Sequence, residues 1–366
     1  MDVLARANAL RAAGRSIVSL AVGQPSDPAP AIVRQAAAQA LEGGVISYTD
    51  ALGRRDLREA ISRHYREHYN VDVPVARIAV TTGSSAGFNL AFLAMFDPGD
   101  KVAITVPGYP AYRNILTALG IDVVEIDLEG AAYLTAARLE EVHRKEGLKG
   151  LLFASPANPT GAITPPEALK ELLAATRAMG IATISDEIYH RLSYTSEDVT
   201  ALDFDDDVTV INSFSKFYCM TGWRIGWMVV PERLVRAVER IQQSLYISAP
   251  ELSQIGAAKA FDATAELEIV RNRYLENRAV LAKALPALGF SLAAPMDGAF
   301  YAYCDITRHS NDSMAFAARM LDEAGVAATP GRDFDPFDGA RYMRFSYAGS
   351  NSDIAEAVER LTGWLK

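Results

Sequence analysis

Pro165-Pro166-Glu167-Ala168-Leu169-Lys170-Glu171-Leu172-Leu173-Ala174-Ala175-Thr176-Arg177-Ala178-Met179-Gly180-Ile181-Ala182-Thr183-Ile184-Ser185-Asp186 is the stretch that decides the fold. Proline and glutamate at its start open a helix, and Gly180 closes it after Met179. The apolar, β-branched run Ile181 to Ser185 then reads as a strand, with Asp186 at its end. Helix, glycine stop and buried strand form one unit of an alternating α/β chain.

The same unit recurs on both sides. Ile78 to Thr81, Lys101 to Val106, Ile121 to Asp127, Leu148 to Ala154, Val208 to Asn212 and Gly226 to Val230 all read as strands. Helical patterns lie between several of them, as in the apolar run through Met95. Alternation of this kind predicts a mainly parallel sheet with helices on both faces, and nearly all-apolar strands are what burial on both faces demands. From Pro231 a long helical pattern leads into a mixed helix and strand region, which predicts a second, smaller α+β domain. The expected division is an N-terminal segment, 1–30, packing with the small domain; a large domain, 31–250; and a small domain, 251–366. No repeat, low-complexity segment or flexible linker interrupts it.

Ligands of open parallel sheets sit beyond the carboxyl ends of the strands. Five groups stand there: Gly83-Ser84-Ser85-Ala86, Pro107-Gly108-Tyr109, Ser155-Pro156-Ala157-Asn158, Asp186 with Tyr189, and Ser213-Phe214-Ser215-Lys216. Their convergence in one cleft weighs more than any single group. The turn at Ser84 opens a helix, whose backbone N–H groups suit a phosphate, although many such turns are plain caps. A carboxylate at Asp186 can pair with a protonated ring nitrogen, or can cap a helix. Tyr189 either bonds a phenolic oxygen of the same ligand or packs under the sheet. Lys216, among aromatic and small residues, has the surroundings that turn an amine into a nucleophile toward an aldehyde. Arg224, eight residues on, offers a fork of donors to a phosphate.

The string Ser213 to Gly226 resembles the lysine signature of class I and II aminotransferases, the fold-type-I pyridoxal-phosphate enzymes. Ser155-Pro156-Ala157-Asn158-Pro159-Thr160-Gly161, Asp186-Glu187-Ile188-Tyr189 and Arg344-Phe345-Ser346 look like further motifs of that family, in its order, and the resemblance runs from Gly23-Gln24-Pro25 to the C-terminal helix. Cys219 departs from the small residue usual at its position, which is expected to affect packing alone. The resemblance implies that pyridoxal 5'-phosphate is carried on Lys216, with Asp186 holding its ring nitrogen protonated. It implies that Asn158 and Tyr189 bond the ring hydroxyl and that Tyr109 stacks on the ring. Ser84, Ser85, Ala86, Ser213, Ser215 and Arg224 are then expected around the phosphate, with Tyr48 reaching it from the second subunit of a homodimer. Arg344 would clamp the substrate α-carboxylate, assisted by Asn158 and the backbone near Gly23. An unpaired charge between apolar strand neighbours would otherwise be costly. The catalytic set is Lys216, Asp186 and Tyr189, and the expected reaction moves the amino group of an L-amino acid to a 2-oxo acid by a ping-pong route.

Bulk properties agree. The 366 residues are 50% apolar and 22% charged, and the net charge of -9 argues against a nucleic-acid partner. No apolar run reaches the length of a membrane span. Two distant cysteines, Cys219 and Cys304, argue against a disulfide scaffold or zinc site and for a reducing, cytoplasmic setting. Arg6, Arg11 and Arg15 resemble part of a transit peptide, but Asp2 and the direct run into residues 19–25 count against one. Asp205-Asp206-Asp207 reads as a solvated loop, and His64 with His68 as a solvated helix face rather than a metal pair. No G-x-G-x-x-G turn supports a nicotinamide enzyme.

Two rivals remain. A β-eliminating C–S lyase can use the same scaffold, because the cofactor supplies the carbanion and the protein selects the bond. A ligand-sensing regulator would carry a DNA-binding segment ahead of Gly23, where the chain has no room for one. As for substrate, one branch of the family has a lysine in the phosphate loop for distal carboxylates. Ser85 stands there, which leaves neutral or aromatic amino acids open. Phe300 and Tyr301 fit a side-chain pocket or the small-domain core equally well.

Overall fold

The computed structural model describes residues 2–366. Strand β1 (Val18–Ser19) is followed by β2 (Ile78–Thr81), β3 (Lys101–Val106), β4 (Asp122–Asp127), β5 (Gly150–Ala154), β6 (Ala182–Asp186), β7 (Thr209–Ser213) and β8 (Gly226–Val229). Five short strands complete the set: β9 (Ser291–Leu292), β10 (Tyr301–Asp305), β11 (Val326–Ala327), β12 (Thr329–Pro330) and β13 (Tyr342–Ser346). Residues 165–186 fold as expected. A helix runs Pro166–Met179 with proline in its first turn, and Gly180 ends it in the left-handed conformation. Leu169, Leu172 and Leu173 are the face it buries.

Strands β2 to β8 form one sheet in the order β2-β8-β7-β6-β5-β3-β4. All neighbours are parallel except β8, which runs against both β7 and β2. The cause is the segment joining β7 to β8. A parallel return needs a crossover helix, and this segment holds only the single turn Thr221–Trp223 beside Lys216. One face of the sheet packs on Phe88, Phe92 and Ile211, the other on Phe214, Trp227 and Leu151.

The second sheet is antiparallel, in the order β12-β13-β10-β9, and a separate parallel pair joins β1 to β11. The N-terminal segment is tied to this part of the chain. Arg6 pairs with Asp322, and the Ser346 N–H donates to the Leu20 carbonyl at 2.7 Å. Among the described residues no helix is long and apolar enough to cross a membrane.

Two surface expectations need correction. His64 is buried, its ring 5.0 Å from that of Phe261, and burial lowers its pKa to about 3. The helix Arg55–Tyr69 is strongly two-sided, with Leu57, Ile61, His64 and Tyr65 on its inner face, so His64 belongs to the core side and only His68 to solvent. In the acidic run, Asp205 is buried and accepts the Asp207 N–H at 2.9 Å, a local turn bond rather than a solvated charge. Asp206 and Asp207 face outward and pair with Arg77 and Arg233.

Candidate active site

A cavity of about 390 Å³ opens where the tips of the large sheet meet the antiparallel sheet. The Gly108 N–H donates to the Phe334 carbonyl at 3.0 Å, a backbone link between the two sides.

The large-sheet side is made of strand tips. Asp186 ends β6 and is buried. The Ile188 N–H donates to its Oδ1 at 3.0 Å and the Tyr112 hydroxyl to its Oδ2. Burial raises its pKa to about 6, opposed by those two hydrogen bonds. Lys216, three residues past β7, donates from Nζ to the Gly23 carbonyl at 2.6 Å. Its pKa is lowered to about 8 by burial and then by the Arg344 cation, against the pull of Asp186. A far larger share of this amine is therefore free near neutrality than of an ordinary lysine, as a nucleophile toward an aldehyde requires.

Next to it the helix Gly83–Met95 begins, presenting Ser84 and Ser85 to the cavity. The approach there is close. Gly83 has φ +73° and a Cβ on it would lie 2.5 Å from Arg224 Nη2, while a Cβ on Gly226 would lie 3.0 Å from the Ser84 nitrogen. Helix N–H groups, hydroxyls and a guanidinium thus converge on one spot, the donor set of a phosphate site. Ser215 lines the cavity, whereas Ser213 sits behind it, donating to Ser215 Oγ at 3.0 Å; Ala86 is also set back. Tyr109 stands at the rim, its ring edge-on to Tyr112 at 5.4 Å. Tyr48 is 79% exposed and does not line this cavity.

The opposite side comes from the small sheet. Arg344, in the middle of β13, is only 7% exposed. Its Nη1 donates to Asn158 Oδ1 and its Nη2 to the Ala21 carbonyl, both at 2.8 Å. The guanidinium lies 4.2 Å over the Tyr301 ring and 4.6 Å over that of Phe334, while Nε is buried without a partner. A buried guanidinium that lines a cavity and carries more donors than the protein's acceptors use suits a carboxylate. The backbone of this segment holds both cations of the site, the Ala21 carbonyl accepting from Arg344 and the Gly23 carbonyl from Lys216.

Several residues of this cavity escaped the sequence reading. Tyr112 could have been found, since it follows Tyr109 by one helical turn and so shares its face. Tyr301 lines the cavity and is also core, so the two readings offered for it were not exclusive; Phe300 is core beneath it. Thr329 and Phe334 come from a two-residue strand and a short turn, which carry no sequence signal. Val3 and Leu4, from the helix Asp2–Ala12, reach the cavity only through tertiary packing.

Residues 15–361 match the family model for aminotransferase class I and II. The chain belongs to this family. It is 45% identical to a valine–pyruvate aminotransferase of Mycobacterium tuberculosis, over the whole chain and 95% of that protein. A crystal structure of an aminotransferase from Mycobacterium tuberculosis superposes with a TM-score of 0.97 at 44% identity, covering all of this chain and 95% of that one. An aspartate aminotransferase from Thermus thermophilus with maleate gives 0.93 at 32% identity, covering 99% and 95%. The protein is a fold-type-I, pyridoxal-phosphate-dependent aminotransferase, and these relatives do not favour the lyase alternative. The geometry fits that cofactor: an amine of lowered pKa, a buried acid lacking a cation, and a cradle of donors for a phosphate.

Proposed function

We propose that this aminotransferase takes a neutral, mainly aliphatic L-amino acid as donor, with valine as the type case, and pyruvate as acceptor. The observation that carries this reading is the cation inventory of the cavity. Among the described residues its cationic side chains are Lys216, Arg224 and Arg344. Lys216 is assigned to the cofactor, Arg224 beside Ser84 to the phosphate, and Arg344 to the α-carboxylate. None remains for a distal carboxylate, and Val3, Leu4, Val22 and Phe334 offer an apolar lining instead. The name of the 45%-identical relative supports the same choice.

The proposed roles follow the residues. Bound pyridoxal phosphate supplies the carbonyl that exchanges amino groups and the electron sink that acidifies the substrate α-carbon. Lys216 Nζ holds the cofactor and, once displaced, moves the proton at the α-carbon. Asp186 keeps a ring nitrogen cationic by pairing with it. Asn158 and Tyr189 orient the ring hydroxyl, Tyr109 covers the ring and excludes water, and Ser84, Ser85, Ser215 and the Ala86 backbone join Arg224 at the phosphate, with Ser213 bracing Ser215. Gly23 anchors the amine of Lys216 in the resting site.

A second copy is proposed to complete the site. Val45 is 89% exposed and Tyr48 79% exposed, an apolar surface next to the Thr49 to Ser248 hydrogen bond, and a homodimer would cover it and bring Tyr48 to the neighbouring phosphate. The division at residues 30 and 250 is proposed to separate the parts that move together. Two buried free cysteines support a cytoplasmic location.

The test is a visible spectrum of the purified holoenzyme before and after addition of single amino acids without a 2-oxo acid. Valine, isoleucine and alanine are expected to bleach the cofactor band, and pyruvate to restore it. Aspartate bleaching faster than valine would overturn the substrate assignment.

A further inference from the structure

Tyr301 ties together groups that the proposed roles treat separately. It lies in β10, opposite Ser346 of β13, and Tyr303 lies opposite Arg344. Residues two apart in a strand share a face, so Tyr301 and Arg344 are diagonal neighbours on the cavity side of the small sheet. Its ring carries the Arg344 guanidinium at 4.2 Å. Its hydroxyl lies 2.8 Å from the Tyr189 hydroxyl. The fit is tight at the far end, since a Cβ on Gly23 would lie 1.9 Å from the Tyr301 oxygen. Gly23 is glycine where that hydroxyl needs the space.

We infer that Tyr301 is a positioning residue with two separable parts: its hydroxyl donates to Tyr189 and so leaves the Tyr189 proton for a ligand in the cavity, while its ring is the platform on which Arg344 is held. This rests on the reading that Tyr189 and Lys216 meet the cofactor.

The direction of the bond follows from chemistry. Two phenols sharing one hydrogen bond have one proton to spare, and the better donor is the more acidic phenol. The Arg344 guanidinium, 4.2 Å over the Tyr301 ring, makes Tyr301 the more acidic of the two; Arg344 acts on Tyr189 as well, but less, and burial pushes Tyr189 well above the phenol range. Lys216 Nζ, 5.6 Å above the Tyr189 ring, and the Asp186 carboxyl face Tyr189 from the large sheet. Arg344 faces Tyr301 from the small sheet and Tyr109 from the rim of the large one. Lys216 Nζ stands farther from the Tyr189 ring, at 5.6 Å, than the Arg344 guanidinium from that of Tyr301, at 4.2 Å, so the order holds. Tyr189 is therefore held as a donor into the cavity, and a donor there stabilises a negatively charged ring oxygen.

Two substitutions separate the parts. In the holoenzyme, Tyr301→Phe keeps the platform and removes the hydroxyl. The pH midpoint of the cofactor's visible absorbance should rise by about half a unit, roughly a threefold change in the protonation ratio, as a weakened donor lets the ring oxygen hold its proton more strongly. KM for amino acids should stay within about twofold, since the ring under Arg344 remains. Tyr301→Ala should in addition raise KM for amino acids and 2-oxo acids together, by about tenfold. A Tyr301→Phe midpoint that is unchanged or lower overturns the hydroxyl's role. An unchanged KM in Tyr301→Ala overturns the platform. Failure of the underlying site reading would show separately, as a borohydride-fixable cofactor adduct that survives Lys216→Ala.

Discussion

Asp186 and Arg344 are both buried, face one cavity and carry opposite charges, yet the fold treats them differently. Asp186 receives protein donors on both oxygens, and burial lifts its pKa to about 6, so without a ligand it can discharge itself by taking up a proton. Arg344 has no such exit, because a guanidinium stays charged in proteins. The fold meets that charge with two aromatic faces and three acceptors, and still leaves Nε without a partner. One wall waits for a cation in a form that can be neutral, and the other waits for an anion while fully charged.

The largest effect expected falls on the group between them. Lys216→Ala should lower transamination by about four orders of magnitude, removing nucleophile and proton carrier together, and should abolish the borohydride-fixable adduct. Next comes Asp186→Ala, expected to slow α-proton removal by about a thousandfold in single-turnover measurements. Rates near wild type would remove the acid from the comparison.

Asp186→Asn sharpens the comparison in the apoprotein. The folded pKa lies above the ordinary carboxylate value, so between that value and about 6 the folded chain holds a proton that the unfolded chain has lost. The stability from this group is full below the carboxylate range and is lost as pH rises through 6. At pH 7 the asparagine apoprotein should therefore be more stable by about 2 kcal/mol in urea melts, with no advantage at pH 4.

On the other wall, Arg344→Ala should raise KM about a hundredfold for amino acids and 2-oxo acids alike, the loss of a charge-assisted bidentate pair. A change confined to one substrate class would break the symmetry. The smallest expected effect lies in the loop beside Lys216. Cys219 is buried at φ +56°, a left-handed conformation that glycine adopts freely, so in Cys219→Gly the relief of the backbone offsets the lost burial of the thiol and stability should change by less than about 1 kcal/mol, with kcat unchanged.

The two walls also differ in how far a reader of the sequence could see them. Ser84, Asp186 and Lys216 sit at or just past the ends of apolar strands flanked by helices, and a continuous apolar run that stops at a polar residue marks such a tip without any coordinates. Arg344 was found through the motif around it and through the cost of burying a charge. Its aromatic partners were not seen as such, Tyr301 having been read only as pocket or core and Phe334 not at all. Tyr301 is adjacent to Arg344 only through the antiparallel register of β10 and β13, and Phe334 only through a turn that folds back onto Gly108. His64 failed for a related reason. Its neighbours Arg63, Arg66 and Glu67 are polar, and one turn of helix can hold a buried ring among them when the opposite element offers an aromatic face such as Phe261.

The helix Asp2–Ala12 has a practical consequence. Val3 and Leu4 form part of the cavity wall, so residues fused ahead of them start beside that wall. An affinity tag belongs after Lys366, since the preceding helix Asn351–Trp364 buries Ile354, Ala357 and Leu361 and contributes no residue to the cavity lining. Kinetic constants from a protein tagged at the front would report on the tag as well as on the enzyme.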